Sequence, residues 1–364
     1  MRFPLSRRNA SPRDSAYAAD AGARTGLHRQ AGDQPSRRLM RRPQDPQDQD
    51  GPGPHGRRLG PRTRLAMMIA AVATAVGVFL AFTGFAPSGK PDGLSTNPGS
   101  YLGVYITGIP HSYTPVSHFV GATGVKPNLL LYYSSWWEPF RAQFAAKAAS
   151  HGAVPLVQIN PEHVRLADIA AGKYNSYLDK FATSIRAYRR PVVVGFGHEM
   201  NAHWSQWGYQ HAKPAVFVAA WRQIVDVFRA NGARNVTWLW TINVIDAHAD
   251  SRNPSPWWPG RNYVDWVGID GYYRKASWRF AALFGPTIKV VRTLTSDPIL
   301  ISETGVAPCA GKAAKIANLF SGVRNYGLLG LVWFDAVAHK DWRIDNPAAI
   351  AAFHRAVRLT SIGK

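Results

Sequence analysis

From residue 101 onward, short uninterrupted apolar runs alternate with longer stretches in which apolar side chains recur every three or four positions. The short runs have the length and the β-branched, aromatic composition of buried strands: YLGVYI (101–106), NLLLYYSSW (128–136), VPLVQIN (154–160), PVVVGFG (191–197), NVTWLWTINV (235–244), VDWVGIDGYY (264–273), PILISE (298–303) and LLGLVWFD (328–335). The longer stretches read as amphipathic helices, among them EPFRAQFAAKAASHG, YNSYLDKFATSIRAYRR, PAVFVAAWRQIVDVFRANG, AAKIANLFSGVRNYG and NPAAIAAFHRAVR. Several end in Gly and two open on Pro, as helix termini do. Unbroken apolar strands need cover on both faces, so the alternation predicts an α/β fold with a parallel sheet wrapped by helices. Eight strand-and-helix units in about 265 residues fit a closed (β/α)8 TIM barrel over residues 101–364. A doubly wound open sheet is the competing arrangement, but no G-x-G-x-x-G follows the first strand, which weakens its dinucleotide-binding form.

The pattern changes before residue 101. Residues 1–64 are rich in Arg, Pro, Gln and Asp and poor in large apolar side chains; they cannot bury enough surface to offset the entropy of ordering, and a disordered tail is expected. LAMMIAAVATAVGVFLAFTGFA (65–86) carries no charge and is long enough, at about 1.5 Å per residue, to cross a hydrocarbon layer of roughly 30 Å. The arginines before it place the N-terminus in the cytoplasm and the barrel outside it, as a single-pass membrane protein. The rival is a cleaved signal peptide and a secreted barrel; such a peptide has an apolar region of about 7–15 residues, and here Pro87 would follow the cut directly. Residues 87–100 read as a turn-rich linker. GFAPSGKP nearly spells a phosphate loop, but Pro91 stands where the magnesium-binding hydroxyl belongs.

Composition narrows the function. The chain has 364 residues, 46% of them hydrophobic, and one cysteine, Cys309, so no intrachain disulfide is possible; a small buried or half-buried residue is expected there. The net charge of +21 would suggest nucleic acid, but much of the excess lies in residues 1–64, where membrane orientation accounts for it; no nucleic-acid partner is expected. Only four Glu occur, Glu138, Glu162, Glu199 and Glu303, each after an apolar strand-like run. In a barrel all four would gather at the C-terminal mouth, where this fold places its chemistry.

The chemistry is then chosen by spacing. HEMNAH resembles the H-E-x-x-H zinc pattern, but His203 is five residues from His198 and follows a strand rather than lying within a helix. ISETG has no serine elbow. Two carboxyls facing one another across an aromatic mouth suit glycoside hydrolysis, and Glu199 with Glu303 form the natural pair. Neither metal nor organic cofactor is required.

The segments GHEMNAHWSQWG, WWPGRNYVDWVGIDGYY and ILISETG, in that order, resemble those of glycoside hydrolase family 26, a retaining barrel family of β-mannanases, mixed-linkage β-glucanases and some xylanases. The resemblance covers residues 101–358 and implies that Glu199 is the acid/base and Glu303 the nucleophile. It further implies that His198 positions the reacting sugar, that Tyr272 bonds the nucleophile, and that Trp333 is the aromatic platform under that sugar. Asn201, Trp204, Trp207 and Trp136 complete the expected substrate-binding set. The implied activity is endo-hydrolysis of a β-linked polysaccharide, β-1,4-mannan first, by a monomer. Mixed-linkage glucan, xylan or a non-catalytic glycan-binding barrel are the alternatives. The chain departs from the family where Ala202 replaces a glycine, Ser205-Gln206 replace Tyr-Pro, and QINP (158–161) stands for T-W-E-P.

Other residues have more ordinary readings. Trp221 is expected in the core, Trp238 and Trp240 face either the barrel or the helices, and Trp137, Trp257 and Trp258 are added to the sugar-stacking candidates. Glu138 and Glu162 either bind hydroxyls or cap helices, Asp265 and Asp270 hold loops, and Arg274 and Lys275 are solvated.

Overall fold

The computed structural model describes residues 94–245, 251–275 and 277–364. The expected tail (1–64), membrane span (65–86) and first part of the linker lie outside these residues; among the described residues no helix is long and apolar enough to cross a membrane.

Eight strands, β1 (Tyr101–Ile106), β2 (Leu129–Ser135), β3 (Val154–Asn160), β4 (Val192–Phe196), β5 (Val236–Asn243), β6 (Trp266–Tyr273), β7 (Ile299–Val306) and β8 (Gly330–Asp335), close into a parallel barrel in chain order. The helices are α1 (Thr114–Thr123), α2 (Ala142–Ser150), α3 (Leu166–Ala170), α4 (Asn175–Tyr188), α5 (Pro214–Ala230), α6 (Phe280–Leu294), α7 (Lys312–Asn325) and α8 (Pro347–Thr360). This is the expected (β/α)8 architecture with one departure. Between β5 and β6 the described chain crosses in loop and two short 3-10 turns, Ser255–Trp257 and Arg261–Tyr263, because the Pro and Gly of NPSPWWPG deny a longer helix its amides and φ angles.

Two apolar layers hold the barrel. Inside, Tyr101, Leu129, Leu156, Val193, Leu239, Trp266, Leu300 and Val332 pack on one another. Outside, alternate strand residues meet the helices: Phe217, Trp221 and Phe228 of α5, at helical spacing, lie against Phe196, Trp238 and each other. Trp221 is thus core, and Trp238 and Trp240 both face the helix layer. The seam closes where β8 meets β1. Gly330 sits at φ 152°, and a Cβ there would lie 1.7 Å from the Tyr101 carbonyl oxygen, so only glycine allows the two strands to join. Cys309 is exposed, against expectation, in the turn leading to α7.

Candidate active site

Above the apolar interior lies a polar layer. Gln158 Nε2 donates to Thr241 Oγ1 (2.7 Å) and Ser302 Oγ to Asp270 Oδ1 (2.6 Å), all buried. The glycines of β4 and β6 make room: a Cβ on Gly195 would strike Gln158, and one on Gly268 would strike Ser302 and Thr241. On β7, Leu300 belongs to the interior and Ile301 to the helix side, so strict alternation would turn Ser302 inward and Glu303 outward. A register shift intervenes: Gly268 pairs with Leu300 but Asp270 with Glu303, leaving one extra residue on β7. The bulge turns Ser302 and Glu303 both toward the barrel axis.

At the end of β4 the backbone is constrained. Gly197 (φ 53°) and Glu199 (φ 55°) both lie in the left-handed region and flank His198; for a glutamate this is an uncommon conformation. It is held by Glu199 N donating to Thr241 O (2.9 Å), by Ala202 N donating to Glu199 O (2.9 Å), and by Trp207 Nε1 donating to His198 O (2.8 Å). The Glu199 carboxyl, 5% exposed as a residue, accepts from Trp204 Nε1 at Oε2 (2.7 Å) and from Asn243 Nδ2 at Oε1 (2.5 Å). Glu303, 3% exposed, accepts from the Tyr272 hydroxyl at Oε2 (2.7 Å) and from the Tyr133 hydroxyl at Oε1.

Glu199, Glu303 and Asp270 form a buried carboxyl cluster. Burial raises the pKa of all three; the Glu199 charge raises Glu303 further, and the charges of both glutamates raise Asp270. Hydrogen bonds oppose this. Each glutamate has two side-chain donors and Asp270 has Ser302 and the Glu303 backbone, but Asp270 alone bears the repulsion of both glutamates, so it is the group that most readily keeps a proton. The charge of Arg274, exposed at the end of β6, acts in the opposite sense on Glu199. His198 is buried, and desolvation lowers its pKa to about 4, which leaves a neutral imidazole. One buried carboxyl able to hold a proton and another able to act as a carboxylate, facing the same space, make an acid/base and nucleophile pair chemically feasible.

The structure therefore gathers Glu199, Glu303, His198, Trp204 and Tyr272. Four other candidates are corrected. Asn201 is 0% exposed and its amide is spent on the backbone of Asn243 and Arg252, so it ties loops together and does not face a ligand. Trp207 is buried beneath His198. Trp136 packs among Tyr174, Tyr177 and Phe196, while its neighbour Trp137, at φ 80°, is 57% exposed. Trp333 faces the helices, against Phe353. Trp342, from the loop after β8, is the indole that packs on Tyr272, with ring centroids 4.6 Å apart. Trp257 is buried and Trp258 packs on Trp240. Sequence reading missed Tyr133, Asn243 and Asn160. Tyr133 and Asn160 lie within or at the end of strands adjoining the site, and a polar residue at the C-terminal end of a barrel strand is the signal that would have found them.

Glu138, Glu162 and Glu199 follow the C-terminal ends of β2, β3 and β4, whereas Glu303, expected at a strand end, lies within β7, which runs on to Val306. Glu138 bonds Ser135 N (3.1 Å) and Arg141 (3.0 Å); Glu162 bonds Ser135 Oγ (2.8 Å) and Asn160 Nδ2 (3.4 Å). Asp265 accepts from Trp238 N (2.8 Å), a loop-holding role.

Comparison with known proteins points the same way. The family model described as Glycosyl hydrolase family 26 matches residues 162–354, over half of the chain. Endoglucanase H of Acetivibrio thermocellus is 28% identical over 278 residues, 72% of this chain but 31% of that protein, so the chain spans about a third of that relative's length. Mannan endo-1,4-beta-mannosidase A and B of Caldalkalibacillus mannanilyticus is 29% identical over 111 residues, 28% of this chain and 21% of that one. Among solved structures, GH26C from a Muricauda species superimposes with a TM-score of 0.57 at 14% identity, covering 72% of this chain and 86% of its own, a likeness of fold.

Proposed function

This chain belongs to glycosyl hydrolase family 26, and on that footing we propose that it is an endo-acting, retaining β-glycan hydrolase that works by double displacement. Glu199 protonates the departing glycosidic oxygen; Glu303 attacks the anomeric carbon and forms a glycosyl-enzyme; Glu199 then takes the proton from the water that releases it. The observation that carries the reading is the pair itself: two carboxyls from β4 and β7, each held by two side-chain donors, close enough that the charge of one raises the pKa of the other. Trp204 supplies both a ring at the mouth and an N–H on the acid/base. His198, Tyr272 and Tyr133 line the nucleophile side.

The proposed backbone is β-1,4-linked mannan. A β-glucan is the second reading, favoured because the relative that aligns over most of the chain is named an endoglucanase, whereas the mannosidase aligns over 28% of it. Incubating the full chain with mannan, mixed-linkage β-glucan and xylan, beside Glu199→Gln and Glu303→Gln, separates these. The expected result is internal cleavage of one polymer, a loss of about 10²–10⁴-fold in Glu199→Gln, and first products of retained β configuration by NMR. Product of inverted configuration would overturn the double displacement. Glycan binding by all three proteins with no sugar released by any would overturn the enzyme.

Residues 65–86 are proposed to anchor the barrel on the outer side of a membrane, on the strength of their length, lack of charge and flanking arginines. Retention in the membrane pellet after alkaline carbonate washing supports this; release into the supernatant, or a mature chain beginning after residue 86, overturns it.

A further inference from the structure

Glu162 and Asn160 have no part in the double displacement, yet they form a hydrogen-bonded line ending on His198. Glu162 Oε2 accepts from the Ser135 hydroxyl (2.8 Å), Glu162 Oε1 accepts from Asn160 Nδ2 (3.4 Å), and Asn160 Oδ1 lies 3.0 Å from His198 Nδ1. A carboxylate offers only acceptors, so the amide nitrogen of Asn160 faces Glu162 and its oxygen faces the imidazole. An oxygen at that distance requires the proton on Nδ1. The other ring nitrogen, Nε2, then carries a lone pair, and the hydrogen bond that the described residues make to this side chain is at Nδ1.

The ring has little freedom to answer otherwise. It lies between the Tyr133 ring at 5.2 Å and the Trp207 ring at 5.9 Å, and Trp207 Nε1 pins its own backbone carbonyl at 2.8 Å. Tyr133 is the residue whose hydroxyl reaches Glu303, so one side chain links the imidazole to that carboxyl. Burial keeps the ring neutral, and a neutral imidazole donates from one nitrogen and accepts at the other.

We propose that Glu162 and Asn160 are positioning residues that lock His198 in the Nδ1–H tautomer, so that Nε2 accepts a hydrogen bond from a hydroxyl of the sugar beside Glu303. The sugar rests on the glycan-hydrolase reading; the tautomer does not. A free imidazole could present either N–H or lone pair to that hydroxyl. The locked one can only accept, which fixes the direction of the hydroxyl's proton.

Long-range 1H–15N correlation of the 15N-labelled full chain at pH 7, without glycan, reads the tautomer directly, with the His198 signals identified by their loss in His198→Gln. The expected wild-type pattern is Nδ1–H alone. Asn160→Leu is expected to admit the Nε2–H form, and so is Glu162→Gln, a near-isosteric change at a half-exposed residue that leaves the fold intact and whose end group lets the Asn160 amide turn over. An Nε2–H or doubly protonated His198 in the wild type overturns the proposal; an unchanged tautomer in Glu162→Gln removes Glu162 from it. In the second arm, a β-1,4-manno-oligosaccharide and a β-1,4-gluco-oligosaccharide are each compared with singly deoxyfluorinated analogues, because fluorine accepts but cannot donate. One fluorinated position is expected to cost the wild type about tenfold in kcat/KM, one charge-free hydrogen bond, and to cost Asn160→Leu little more. Equal loss at every position, or at none, overturns the hydroxyl contact. If neither parent oligosaccharide is cleaved, the β-1,4-mannan and β-1,4-glucan readings fail while the spectra still decide the tautomer.

Discussion

Asn243, at the end of β5, donates its side-chain amide to Glu199 Oε1 over 2.5 Å, while Asn201 Oδ1 holds the backbone nitrogen of the same asparagine at 2.9 Å. The donor is thus fixed before any substrate arrives, and it favours the ionised form of a carboxyl that burial drives toward the neutral form. Removing it in Asn243→Ala is expected to raise the Glu199 pKa further, moving the alkaline limb of the kcat/KM profile to higher pH. A charge-assisted hydrogen bond of about 1.5–3 kcal/mol corresponds to about 10- to 100-fold in rate. A pH–rate profile checks this, and an alkaline limb moving downward contradicts it.

Trp204 offers a separable case. Trp204→Phe keeps an aromatic ring and loses the N–H on Glu199 Oε2, so kcat is expected to fall about tenfold with KM little changed. Trp204→Ala loses the ring as well and should raise KM. Steady-state kinetics on both variants tell stacking from proton control; identical parameters for the two would deny the ring a role, and an unchanged kcat in Trp204→Phe would deny the N–H one.

On the Glu303 side, Tyr272→Phe deletes one of two phenol donors to the carboxyl. With less support for its charge the carboxyl holds its proton to higher pH, so the acid limb of kcat/KM is expected to shift upward and the rate at pH 5 to fall more than the rate at pH 8. A uniform loss across pH would assign Tyr272 to packing against Trp342 instead.

Asp270 makes a prediction about stability. Burial, then repulsion from Glu303 and Glu199, puts its folded pKa well above the ordinary carboxylate value. A carboxyl that binds its proton more tightly in the folded state favours the fold at low pH, and that advantage is lost as pH rises from the unfolded value of about 4 toward the folded one. The melting temperature is therefore expected to decline with rising pH across this window, and Asp270→Asn, which resembles the neutral acid, to decline less steeply. Glu199 and Glu303 shift in the same direction, so some slope remains. Thermal melts at a series of pH values test this, and a slope unchanged in Asp270→Asn would show that the aspartate is ionised in the fold.

Trp333→Ala opens a void between β8 and α8 and is expected to cost about 3–5 kcal/mol of stability, measured by denaturant unfolding. Were it the platform for a sugar, KM would rise with stability unchanged.

How much of this could be read from the chain follows a physical division. The eight strands and their order were legible because burial on both faces demands unbroken apolar runs, and helices demand a 3.6-residue repeat; both are local patterns. That Glu199 follows a strand was legible for the same reason; Glu303 stands within β7, which continues three residues past it. Which way a side chain points was not legible. Alternation along β7 turns Glu303 away from the axis, and only the bulge opposite Gly268 and Asp270 turns it in. The same uncertainty governs the tryptophans: Trp136 is buried and Trp137 exposed, Trp333 faces the helices and Trp342 packs at Tyr272. Local sequence determined which segments form strands and which of them carry the acids. Strand register around the closed barrel decided which of those acids, phenols and amides meet, because facing is set by hydrogen bonds to neighbouring strands far away in the chain.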